Sequence, residues 1–203
     1  MIAFPSSLEI PGSLTFFTGP MACGKTLELV RHLQIFREQQ IPLICLRPTM
    51  DTRTSTVQSR SGLLCDAMTV DANDLNAIAN IIADRQVIGI DEIGFFPLAI
   101  ADLLERQIRQ GKIVLVSGLD TDFRGRMFPT AQAIMALPET IIHRSRAVCG
   151  VCRRYNATRT QRLRNGKPVP ENDPIVVIEG SQDQVTYEAR CLEHHELLPA
   201  VVD

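Results

Sequence analysis

Short apolar runs alternate with amphipathic stretches along most of the chain. "LTFFT" (14–18), "PLICL" (42–46), "QVIGID" (86–91) and "KIVLVSG" (112–118) each read as a buried strand, being too short for a buried helix. Between them, "KTLELVRHLQIFREQQ" (25–40) carries Leu27, Val30, Leu33 and Phe36 near helical spacing. "DLNAIANIIAD" (74–84) opens on Asp74 as a cap, and "LAIADLLERQIRQ" (98–110) runs up to Gly111. Strands alternating with helices predict an α/β fold, a mostly parallel sheet flanked by helices on both faces. Such sheets take their ligands beyond the carboxyl ends of the strands. Two regions break the rhythm. Residues 51–73 are polar, rich in Thr and Ser, without periodicity and longer than an ordinary connector, hence a functional or mobile stretch. From about residue 148 the pattern turns to short pieces with Pro, Gly, basic clusters and a cysteine pair. The chain therefore divides into an α/β domain over 1–147 and a small lobe over 148–203.

The first strand runs into "GPMACGKT", which fits G-x-x-x-x-G-K-[ST] over Gly19, Pro20, Met21, Ala22, Cys23, Gly24, Lys25 and Thr26. Glycines let backbone N–H groups turn inward around phosphate oxygens, Lys25 adds charge for the β and γ phosphates, and the Thr26 hydroxyl suits Mg²⁺. The helix that follows points its positive end at the same anion. The strand–loop–helix context makes the expected fold P-loop NTPase-like. "VIGIDE" then supplies Asp91 at the end of a buried strand, placed to orient Mg²⁺. Glu92 follows and is the candidate general base. Taking a proton from water would make the protein an ATPase; taking it from an alcohol would make it a kinase.

A net charge of −2 and a pI near 6.1 give no global reason to expect nucleic acid or a membrane surface as the main partner. No window approaches the length of an apolar membrane span, and the N-terminal stretch, without Lys or Arg, lacks a secretory layout. The cytoplasm is the expected location. Of six cysteines, Cys149 and Cys152 form a C-x-x-C matched by Cys191-x-x-His194. Two such pairs predict a tetrahedral structural Zn²⁺ site stapling the small lobe, with His195 an alternative to His194 as fourth ligand. His32 and His143 read as ordinary surface or packed histidines. "RRYNATRTQRLRNGK" (153–167) is strongly basic, either a solvated face or a contact to a phosphorylated substrate or nucleic acid. Tyr155 is its one aromatic, too few for stacking along a single strand.

Taken together, these residues resemble type II thymidine kinase, the cytosolic and bacterial zinc-containing family. The resemblance runs from about residue 14 to 195 and rests on "GPMACGKT", "DTR" (51–53), "SRSGL" (59–63), "IDEIGFF" (90–96), "GLDTDFRGRMF" (118–128), "CGVC", "RLRNGKP" (162–168), "VVIEG" (176–180), "YEARC" (187–191) and "CLEH". It implies ATP-dependent phosphorylation of thymidine, with Lys25 and Thr26 on ATP phosphates and magnesium and Glu92 deprotonating the 5′-hydroxyl. By the same resemblance Arg53 contacts phosphate. Met21, Phe95, Leu119, Phe123, Phe128 and Thr160 surround the thymine, Arg162 lies near the substrate, and Val177, Ile178, Glu179 and Gly180 with Tyr187 close over the base. The family also implies a tetramer, with dTTP as a feedback inhibitor. Against the family pattern, Gly94 stands where a glutamine is usual, and Glu179 replaces the first glycine of a pair. Both changes bear on substrate range. The alternative function is a P-loop ATPase whose zinc unit grips nucleic acid.

Overall fold

A computed structural model describes residues 12–49, 56–58, 64–175 and 184–200. In chain order the elements are β1 (Ser13–Thr18), α1 (Lys25–Glu38), β2 (Leu43–Pro48), the short strands β3 (Thr56–Gln58), β4 (Leu64–Asp66) and β5 (Met68–Val70), and α2 (Leu75–Ile82). There follow β6 (Val87–Ile90), α3 (Ile100–Arg109), β7 (Ile113–Ser117), α4 (Pro129–Ala136), β8 (Thr140–Arg144), β9 (Arg159–Arg164), β10 (Lys167–Pro168) and β11 (Val185–Arg190).

Six strands form one sheet in the order β5-β2-β6-β7-β1-β8, and every pairing is parallel. Its strands are nearly continuous apolar runs because both faces are covered. On one face Phe17, Cys45, Val87 and Leu115 pack against Leu29, Val30 and Leu33 of α1. On the other, Leu14, Phe16, Ile88, Ile90, Val114 and Val116 pack beneath Ile78, Ile82, Leu103, Leu104 and Ile134 of α2, α3 and α4. The side-chain alternation of β1, β6 and β7 sends neighbours along each strand to opposite cores. Gly89 lets α1 lie close, since a Cβ there would stand 2.7 Å from Leu33 Cδ1. The buried stripe of α1 is Leu29, Val30 and Leu33, with Leu27 and Phe36 only partly covered. The predicted stripe is thus right in direction but shifted at Leu27.

The strands and helices predicted between 14 and 46 and between 74 and 118 are present, within a few residues at their ends. Asp74 caps α2 by accepting from the Ala77 amide at 2.9 Å. Within 51–73 the structure has β3 and β4, which pair antiparallel, and β5, which extends the sheet beside β2. Three-residue strands are too short to display a period. Beyond residue 145, β10, β9 and β11 form a separate antiparallel sheet. Its neighbour is a compact core of Ala147, Cys149, Ala157, Ala189 and Cys191.

Candidate active site and metal centre

The phosphate-loop motif occupies the turn between β1 and α1, at the carboxyl edge of the sheet. Gly19 has φ +136°, and a Cβ there would fall 2.3 Å from the Ser145 carbonyl oxygen, so only glycine fits. The sharp turn continues through Ala22 at φ 59° to Gly24, the N-cap of α1 at φ 91°. Lys25 is buried and folds back over its own loop, with Nζ donating to the Pro20 carbonyl at 2.9 Å. Burial pushes the Cys23 thiol up from its ordinary value, with the Lys25 charge and local N–H donors opposing.

From the neighbouring strand end, the buried Asp91 carboxylate accepts from Thr26 Oγ1, with both oxygens at 3.3 Å. It also accepts from the hydroxyl of Ser117, at the end of β7. The sequence reading missed Ser117, although a hydroxyl closing the apolar run "IVLV" is the kind of signal that could have exposed it. The start of α1 and the ends of β6 and β7 thus converge on one carboxylate and one hydroxyl pair. Glu92 stands beside them at φ 52°, in the left-handed region that a glutamate enters only at a cost. That backbone turn sets Glu92 apart from Asp91. It leads into a short 3-10 turn, Ile93–Phe95, closed by the Phe95 amide donating to the Glu92 carbonyl at 3.0 Å.

Phe95, Leu119 and Phe128 are half-buried, and Phe123 is buried. The loop that carries Phe123 is fastened by Asp122, which accepts from the Arg124 and Arg126 amides at 2.9 Å each. Asp120 pairs with Arg144 at 2.9 Å and receives the Phe128 amide on its carbonyl at 3.0 Å. Thr160, in β9, is buried, and its hydroxyl accepts from the Met21 amide at 3.1 Å.

The middle of the basic stretch 153–167 is β9, and part of it faces inward. Arg162 is 2% exposed and pairs with Asp173 at 2.8 Å. It also donates to the Pro174 and Ile175 carbonyls and to the Tyr187 hydroxyl, the last at 3.0 Å. Its guanidinium lies 4.3 Å over the Phe123 ring. Arg164 pairs with the second oxygen of Asp173 at 2.8 Å. Arg162 is therefore a strut joining Phe123, Tyr187 and the 173–175 segment and no part of a solvated face, whereas Arg164 is half-buried and Arg153, Arg154 and Lys167 are exposed, as a solvated face would have them. Asp173, which compensates both charges, carried no signal in the sequence. Arg53 and Val177, Ile178, Glu179 and Gly180 lie outside the described residues.

Cys149, Cys152, Cys191 and His194 come together with their ligand atoms all within 4.8 Å of one another. Cys191 Sγ is 3.0 Å and Cys149 Sγ 3.9 Å from His194 Nδ1. Ligand atoms on a tetrahedral zinc stand about 3.8 Å apart for Zn–S bonds of about 2.3 Å, so the donor set fits that ion. Burial pushes the Cys149 thiol up, yet N–H donors from Cys191, Cys152 and Val151 outweigh it and bring it down to about 6. Burial raises the Cys191 thiol. His195 does not belong to the cluster: its Nε2 donates to the Phe123 carbonyl at 2.8 Å. The structure thereby separates the two histidines that the sequence left as alternatives. His32 and His143 both lie against Phe17, with ring centroids 4.7 and 5.6 Å away.

No helix among the described residues is long and apolar enough to cross a membrane. A family model described as thymidine kinase matches residues 12–195. The chain is similar to a thymidine kinase of Thermococcus kodakarensis, 38% identical over 192 residues covering 91% of this chain and 94% of that one. It is also similar to a thymidine kinase of Pyrobaculum aerophilum, 39% identical over 190 residues and 92% and 100% of the two chains. A thymidine kinase of Coprothermobacter proteolyticus is 38% identical over 188 residues, 92% and 91% of the two.

Proposed function

The chain belongs to the thymidine kinase family, and we propose that it moves the terminal phosphoryl group of ATP to the 5′-hydroxyl of thymidine with Glu92 as the general base. As a family member it is a nucleoside kinase that phosphorylates thymidine and uses ATP. The assignment of roles to individual residues is our reading. The observation that carries it is the link between Thr26 and Asp91, which brings the phosphate loop and the β6 strand end into a single site.

In this reading the loop Gly19, Pro20, Met21, Ala22, Cys23, Gly24, Lys25 and Thr26 cradles the phosphates through amides other than that of Met21, which Thr160 holds, and Lys25 exchanges the Pro20 carbonyl for a phosphate oxygen. Thr26 and Asp91, held by Ser117, would hold Mg²⁺, which when bound neutralises charge on the β and γ oxygens. Glu92 accepts the proton of the attacking hydroxyl while that oxygen bonds to phosphorus and ADP leaves. Phosphoryl transfer needs little covalent help, so positioning and charge neutralisation supply most of the rate. Arg53 would add charge at the phosphates. The wall of the nucleoside pocket comprises Met21, Phe95, Leu119, Phe123, Phe128 and Thr160, with Arg162 behind it. Backbone groups of Val177, Ile178, Glu179 and Gly180, with Tyr187, read the base.

Zn²⁺ on Cys149, Cys152, Cys191 and His194 would be structural, since four protein ligands leave no open position. We further read 1–147 as the nucleotide-binding domain and 148–203 as the lobe that completes the nucleoside pocket, in a cytoplasmic homotetramer inhibited by dTTP. The test is a panel of pyrimidine nucleosides with ATP and Mg²⁺, following ADP and nucleoside monophosphate together. Stoichiometric dTMP supports the reading; ATP turnover that thymidine leaves unchanged overturns it.

A further inference from the structure

The nucleotide loop and the small lobe touch at two points. The first is polar: the Met21 amide, within the phosphate loop, donates to Thr160 Oγ1 of β9 at 3.1 Å, across 139 residues of sequence. The second is apolar: Cys23 packs against the lobe core of Ala147, Cys149, Ala157, Ala189 and Cys191. A backbone join lies beside them, within the nucleotide domain. The Ser145 amide donates to the Thr18 carbonyl at 2.8 Å, and its own carbonyl fills the space beside Gly19 that a side chain would need.

Thr160 stands apart among these contacts. Its hydroxyl is a side-chain acceptor on a 2%-exposed residue of a strand outside the nucleotide domain's sheet. A phosphate site works by holding amides at fixed positions before the anion arrives. Met21 lies between Gly19 and Gly24, where glycine leaves the backbone least constrained.

We propose that Thr160 is a positioning residue for the nucleotide site: its hydroxyl fixes the Met21 peptide and so sets the empty phosphate loop in its binding shape. Nucleotide affinity then depends on the lobe that carries the metal, even with no nucleoside present. This rests on the reading that residues 19–26 hold the ATP phosphates.

The experiment is calorimetric titration of the zinc-replete full chain with Mg²⁺ and ATP in the absence of any nucleoside. Thr160→Val keeps the side-chain shape and removes the acceptor; Thr160→Ser keeps the acceptor. The expected result is ATP binding weakened about three- to tenfold in Thr160→Val, the size of one lost neutral hydrogen bond, with Thr160→Ser close to wild type. A residue that only lined the nucleoside pocket would leave both titrations unmoved, and that result overturns the proposal. Slow exchange of the Met21 amide in the nucleotide-free wild type supports the link whatever the variants' stability. Exchange there at the rate of an unstructured loop overturns it. Failure of the wild type itself to bind ATP would instead remove the nucleotide-site reading on which the proposal stands.

Discussion

Glu92 and Gly94 stand two residues apart and answer to different constraints. Glu92 sits in the left-handed region at φ 52°, which costs about 1 kcal/mol for a residue bearing a Cβ and is tolerated mainly where function needs it. Glutamine has the same backbone preferences, so Glu92→Gln leaves the fold unchanged and isolates the proton acceptor. Single-turnover phosphoryl transfer should fall about 10²–10⁴-fold, with ATP and thymidine affinities retained. Transfer within threefold of wild type would remove Glu92 as the base. Gly94 has no such constraint: a Cβ there meets nothing within 4 Å, and its φ lies outside the left-handed region. Gly94→Ala should therefore raise stability by about 0.4–1 kcal/mol through the unfolded chain, read as a higher urea midpoint. The backbone therefore does not require glycine at this position.

At the level of elements, the sequence was most legible where a segment is long and buried on a definite face. β1, β6, β7, α1 and α3 were predicted because their apolar residues must meet a core. β5 and β8 were not: Met68, Ile141 and Ile142 of these edge strands are about half exposed, so burial writes no pattern into them. The phosphate loop and the cysteine pairs were legible because their chemistry requires fixed short spacings. Asp173 and the separate duties of His194 and His195 depend on partners distant in sequence, which spacing does not encode. The metal cluster joins the turn after Ala147 to the end of β11, and Cys149→Ser should empty it of zinc, measured by elemental analysis. Acid should do the same reversibly. N–H donors bring the folded Cys149 thiol down to about 6 against an ordinary value of 9.0, so at this site the folded chain binds fewer protons than the unfolded one, while the buried Cys191 thiol shifts the other way. The stabilisation this thiolate contributes is complete above about pH 9 and declines as pH falls through 6. Bound zinc, competing with the proton, holds the thiolate further down. Zinc release to a chromogenic chelator should thus be slight at pH 7.5 and become extensive only below about pH 6.

Across the whole molecule, the strand order places β1 between β7 and β8, so the first strand of the chain finds neither partner until more than half of the chain has been made. The final ligands of the metal cluster, Cys191 and His194, come within the last thirteen residues. Contacts that join sequence-distant partners form slowly, because a long loop must close before they return anything. Refolding in the presence of a zinc-sensitive dye should show helical dichroism recovering before dye-reported metal uptake, and ATP binding recovering no earlier than the metal. Simultaneous recovery of all three would argue against that order. A chain leaving the ribosome meets the same geometry from its N-terminus. Its phosphate loop emerges early, yet Thr160 and then the last metal ligands must follow before the loop has its support. A nascent chain that has not yet reached Thr160 should therefore hold ATP more weakly than one that has.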